Sequence, residues 1–246
     1  MARLVFCVVC SALVAVVTGC ETESGGSAGA GGTGGTAGTG GGETISVDFN
    51  IRSTELRPLE GAEICVADTQ NCATTDEEGD ATIELPLNME VLYTVSKDGF
   101  VPELYGDVTD LTFGASRGHV LFPEQEISDG AVDIDTVWPH AGTGWLSLGV
   151  NQPSVTFTLV GDAREPWYVD ADGNGSTVID ATTTESIGGA RGGFVEVAPG
   201  VHEVEFGGAA TDCVVGIGLP GTAANRIRVP VRDGHISYGS QACAAP

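Results

Sequence analysis

The sequence predicts an all-β protein: two β-sandwich modules that follow a signal peptide and a disordered Gly-rich linker. Three observations carry that prediction. Residues 44–246 are rich in short apolar–polar alternations of period two, punctuated by Gly, Pro, Asn and Asp. Residues 21–43 hold no large apolar side chain and so cannot bury a core. Leu4 to Val17 is almost wholly apolar, about the length of a signal-peptide core and too short for a permanent membrane span.

The leader comes first. Arg3 is the only charge before Cys20, and the apolar run ends in Val17-Thr18-Gly19-Cys20. This ending resembles the lipobox of bacterial lipoproteins, in which a small residue precedes the cysteine. The resemblance implies that residues 1–19 are removed, that the Cys20 sulfur receives a diacylglycerol and that the new amino terminus is acylated. Several acyl chains would then hold the protein to a membrane stably, as one alone would not. Glu21 stands where an Asp would favour inner-membrane retention, so the resemblance implies the outer membrane. Residues 20–43 read as the tether, and Gly25 to Gly42 would span roughly 23 Å as a random coil.

Charge narrows the partners. The chain carries 34 acidic and 10 basic residues, for a net charge of −24. Such a chain repels phosphate backbones, which argues against a nucleic-acid partner. It also repels anionic lipid, so attachment has to come from the acyl chains. Of the seven cysteines, Cys7 and Cys10 leave with the leader and Cys20 takes lipid. Cys65, Cys72, Cys213 and Cys243 remain, an even number in an exported chain, which suggests disulfides. Three pairings are open. Cys65–Cys72 and Cys213–Cys243 is preferred because each link stays within one module. Zinc would want tight pairs such as CxxC, and neither pair is tight.

The first module spans 44–108. In "ISVDFNIRS", Ile45, Val47, Phe49 and Ile51 share one face. In "GAEICV", Ile64 and Val66 do the same. Asp68 to Asn71 is turn chemistry, so a Cys65–Cys72 bridge would clamp a hairpin. Asp76-Glu77-Glu78-Gly79 makes a second turn before Ala81, Ile83 and Leu85, and "EVLYTVSKDGF" supplies another strand through Val91, Tyr93 and Val95.

The run of "GAEICV", "ATTDEEGDATIEL" and "YTVSKDGF" resembles the carboxypeptidase regulatory-like, or transthyretin-like, domain over about 44–105. The resemblance implies a seven-stranded Greek-key (transthyretin/Ig-like) sandwich and an accessory role without catalytic residues. The Cys65/Cys72 pair departs from that family's general outline.

Residues 109–144 read as a connecting segment with edge elements: strands near Leu111–Phe113 and His119–Phe122, and a short helix from about Pro123 with Ile127 inward, weakened by Gly130. The second module spans 145–246. "WLSLGV", "SVTFTLV" and "FVEVAPGVHEVEF" each alternate, the last around a Pro199-Gly200 turn. In "RIRVPVRDGHISYG", Ile227, Val229 and Val231 alternate with arginines, and Asp233-Gly234 is a hairpin signal. This half looks like a more divergent copy of the same outline; one larger sandwich built from both halves is the alternative.

Several motifs carry chemistry in other settings. Gly114 to Gly118 matches the G-x-S-x-G nucleophile elbow, which would make Ser116 a nucleophile, but that motif needs a strand, a turn and a helix, and strand-like "HVLF" follows. His119, His140, His202 and His235 lie at no metal-binding spacing. Asp170, Asp172 and Asn174 fall at positions 1, 3 and 5 of a calcium loop with Gly175 at position 6, but Ala181 stands where the bidentate Glu belongs. A polar turn accounts for the same residues, as it does for Asp76 and Asp80. Trp138, Trp145, Trp167 and Tyr168 could form a sugar-stacking platform or pack a core, and Trp167 and Tyr168 cannot both face out of one strand. The sequence thus reads as a non-catalytic, lipid-anchored cell-envelope protein with a structural, adhesion or binding role toward an envelope protein. A glycan-binding accessory module is the alternative. No cofactor is expected beyond calcium at that loop.

Overall fold

The computed structural model describes residues 43–110, 113, 116–169, 175–176, 182–185 and 190–244. Chain order gives β1 (Thr44–Ser53), β2 (Glu63–Val66), β3 (Cys72–Thr74), β4 (Asp80–Pro86), β5 (Glu90–Ser96), β6 (Glu103–Val108) and β7 (Ser116–Leu121), then helix α1 (Glu124–Asp133). The second half adds β8 (Gly144–Val150), β9 (Val155–Leu159), β10 (Trp167–Val169), β11 (Gly175–Ser176), β12 (Ala190–Val197) and β13 (Gly200–Gly208). It ends with β14 (Val214–Ile217), β15 (Leu219–Pro220), β16 (Arg226–Val231) and β17 (Ile236–Ala242).

The fold is all-β and consists of two sandwiches that share a sheet. A three-stranded sheet runs β4-β1-β7 and a four-stranded sheet runs β15-β16-β13-β9. Between them a ten-stranded sheet runs β11-β10-β12-β8-β17-β6-β5-β2-β3, with β14 also on β17. In the first sandwich β4 returns beside β1 while β2 and β3 pair in the facing sheet, a Greek-key arrangement folded across two layers.

The alternations predicted from sequence make the cores. Val47, Phe49 and Ile51 of β1 are buried against Ile83, Leu85, Val91, Tyr93 and Val95. Leu146, Leu148 and Val150 of β8 are buried with Val155, Phe157, Leu159, Ile227, Val229 and Val231. The segment 109–144 supplies more than a connection: β7 lies parallel to β1, pairing Asp48 with Ser116, and completes the three-stranded sheet. The helix forms through Gly130 because Ile127 and Ala131, one turn apart, bury the same stripe.

The two outer sheets lie on opposite faces of the shared one. On β6, Tyr105 points into the first core, while a side chain at Gly106 would meet Pro230 and Leu219 of the four-stranded sheet at 3.0 and 3.3 Å. On β17, Tyr238 packs toward the first core and α1, whereas a Cβ at Gly239 would lie 2.6 Å from Ile227. Glycine at 239 is what lets β16 approach. The hairpin expected at Asp233-Gly234 does not form: β16 and β17 belong to different sheets, and the turn carries the chain from one layer to the other. Pro199-Gly200 likewise joins β12 and β13 of different sheets. Turn chemistry specifies a reversal, not the partner that the next strand finds.

Candidate functional site at the seam between the sandwiches

The two modules meet along β17, which pairs in parallel with β6 of the first and β8 of the second. Ile236 stands opposite Glu103 on one side and Trp145 on the other. The ladder is therefore continuous through the main chain. Two surface ion pairs also cross the junction, Arg228 with Glu90 and Arg232 with Asp68. Exposed pairs of that kind contribute at most about 1 kcal/mol each.

At this seam β6 buries a polar row. Glu103, Tyr105 and Asp107 alternate onto the face that looks into the first core. Glu103 is 1% exposed and accepts hydrogen bonds from the hydroxyls of Tyr105 (2.5 Å) and Tyr238 (3.0 Å). Burial pushes its carboxyl up to about 8, against the pull of the two phenols. Burial also raises Asp107, to about 6, opposed by Arg117, whose guanidinium lies 3.4 Å away and 3.9 Å above the Phe113 ring. His119, reaching in from β7, stacks on Phe49 and lies with its ring centre 4.2 Å from that of Tyr105. Burial, and then Arg117, depress His119 to about 3.

The cluster is a largely buried polar–aromatic one: Glu103 and His119 are enclosed, while the side chains of Arg117 and Asp107 stay 26% and 13% exposed. Ser116 opens β7 on the exposed side, three residues from His119 and hence on the opposite face, so the pair a hydrolase would need is not formed there. His202 bonds the Ala198 carbonyl and His235 the Asp233 carbonyl. Asp76 accepts the amides of Glu78 and Asp80, as a self-contained turn does.

Comparison with known proteins adds no argument to this geometry. No protein-family model matches the chain, and no curated protein matches it in sequence. Among solved structures it is similar to the minor pilin GBS52 of Streptococcus agalactiae, at 15% identity and a TM-score of 0.25 over 82% of this chain and 97% of that one. The Bacillus anthracis TIE protein is similar at 14% identity and a TM-score of 0.23, over 82% of this chain and 34% of that one. A chain of a type II cohesin–X-dockerin complex of Acetivibrio cellulolyticus gives 14% identity and 0.23, over 31% and 51%. The chain thus spans about a third of the TIE protein and about half of the cohesin-complex chain. At these values the likenesses carry no argument about function.

The predicted disulfides are both present. Cys65 faces Cys72 across the β2–β3 ladder, and Cys213 joins Cys243, tying the start of β14 to the end of β17. Asn151 adds a reciprocal pair of hydrogen bonds to the Cys243 backbone. Glu63, Cys65 and Cys72 are the one group of three metal-ligating side chains among the described residues, and the bridge leaves them no thiolate to offer. Trp138 and Trp145 pack edge to face at 5.0 Å, with Trp167 against the same cluster under α1. Trp145 is buried, so it presents no open ring to a sugar, and Tyr168 turns to the other face, where its hydroxyl accepts the Phe157 amide. Cys20 and the calcium-loop residues Asp170, Asp172 and Asn174 lie outside the described residues. Among the described residues no helix is long and apolar enough to cross a membrane.

Glu103 is the residue that sequence reasoning missed. "ELYGDV" places its polar residues inward, so the strand hides from an amphipathic pattern. Its one signal is the spacing of Glu103, Tyr105 and Asp107.

Proposed function

We propose that this chain is a non-catalytic, lipid-anchored protein of the cell envelope whose role is structural, adhesive or in binding an envelope partner. The carrying observation is the pairing of β17 with both β6 and β8, which makes one body of two sandwiches instead of two beads on a string. A body of that kind, stapled by a disulfide in each module, suits a device that holds a surface at a fixed distance. The lipobox-like ending at Cys20 and the Gly-rich stretch after it support attachment through a tether. The carboxypeptidase regulatory-like outline of the first module supports an accessory role.

Metabolic labelling with palmitate tests the reading. The wild-type chain is expected to take label and to sediment with the outer membrane, and Cys20→Ser to do neither. A wild-type chain that stays unlabelled, or remains in the soluble fraction, overturns it.

A further inference from the structure

We infer that the Glu103 carboxyl is a proton-operated lock on the junction between the two modules: protonated, it stays buried between β6 and β17 beside its two phenol partners, and ionised, the cost of burying its charge favours opening of the seam. The inference rests on the seam alone and stands whether or not the chain carries lipid.

Three observations converge on it. First, Glu103 lies where the modules join, in register with Ile236 of β17. Secondly, one of its two phenol partners belongs to each side: Tyr105 to β6 and Tyr238 to β17. Thirdly, among the described residues no cation neutralises it. The titratable groups around the cluster are Tyr105 and Asp107 of β6, Tyr93 of β5, Tyr238 of β17, Arg117 and His119 of β7, and Arg191 of β12. Arg117 is held by Asp107 and the Phe113 ring, and Arg191 acts on Tyr238. The helix side contributes Ile127, Ala131 and Ile134, which are apolar. A buried carboxylate with two neutral donors and no counter-ion is costly, so the closed seam prefers the neutral acid.

The sign follows from proton counting. The closed seam holds its proton up to about pH 8, whereas an opened seam hydrates the acid and returns it to the ordinary value near 4.5. Closure is therefore fully favoured below pH 4.5, weakens as pH rises toward 8 and levels off above. Between pH 6 and pH 8 the opening equilibrium grows by roughly fiftyfold.

Amide exchange on the full-length chain in detergent tests this. The protection of Ile236–Tyr238 in β17 is divided by that of Ile227–Val229 in β16, which cancels the intrinsic acceleration of exchange with pH. The ratio is expected to fall by roughly fiftyfold from pH 6 to pH 8 in the wild type, and to stay flat in Glu103→Gln, which keeps a neutral acceptor. A flat wild-type ratio, or an equal fall in Glu103→Gln, overturns the inference. Should that variant not fold, Tyr238→Phe serves: losing one donor to the carboxylate moves the midpoint to higher pH. An unmoved midpoint overturns the inference as well.

Discussion

Tyr105 and Tyr238 lie face to face, ring centroids 5.2 Å apart and planes within 11° of parallel, across the line where one sandwich becomes the next. Tyr93 continues the stack on the other side of Tyr105 at 5.2 Å. Three rings from β5, β6 and β17 thus run across strands of the shared sheet, and two of them end on one carboxyl. Apolar area accounts for part of that contact, and the ring geometry adds an orientation-dependent attraction of about 0.5–1.5 kcal/mol per pair. Replacing Tyr105 and Tyr238 by Leu, singly and together, is expected to show a coupling of about 1 kcal/mol in urea unfolding. Strictly additive losses would mean that the rings merely touch.

The two disulfides close loops of different length, with sequence separations of 7 and 30. If they act chiefly by restricting the unfolded chain, the longer loop stabilises more: about 2.5 kcal/mol for Cys65–Cys72 and about 3.5 kcal/mol for Cys213–Cys243. Paired Cys→Ala variants compared by urea denaturation are expected to keep that order. The reverse order would place the stabilisation of the first bridge in the folded state, where it directly joins opposed residues of a hairpin.

Wherever a strand buries one face and wets the other, the fold could be read from the sequence. β1, β4 and β9 show their burial in their alternation. The strands that join the modules do not. β6 turns Glu103, Tyr105 and Asp107 inward and has Leu104 and Gly106 covered from behind. β17 is likewise covered on both sides, by α1 and the first core at Tyr238 and by the four-stranded sheet at Gly239. A strand enclosed on both faces loses the period-two signal. The merger of the two halves through one sheet was therefore present in the sequence only as the alternative of one larger sandwich, whereas each sandwich was legible by itself. The disulfides were legible because pairing within a module left one arrangement. The seam cluster was not, because burial of an acid contradicts the pattern from which strands are recognised.

His119 gives the molecule an acid limit opposite in sign to that of Glu103. Its ring is 8% exposed, and its Nε2 lies 3.4 Å from the Tyr93 hydroxyl, so the folded protein keeps it neutral down to about pH 3. The unfolded chain takes up that proton near pH 6.5. The stability tied to His119 is thus whole above pH 6.5 and is lost as pH falls toward 3, while Glu103 gains over part of the same span. Replacing His119 by Phe, which fits an aromatic site beside Phe49 and Tyr105, removes the loss but not the gain. Urea unfolding at pH 4, 5, 6 and 7 reads the difference. The stability of His119→Phe relative to wild type is expected to rise by about 1.4 kcal/mol for each unit of pH below 6. A constant offset instead would mean that the folded protein protonates this ring as readily as the unfolded chain does, and that the cluster around it is open to water.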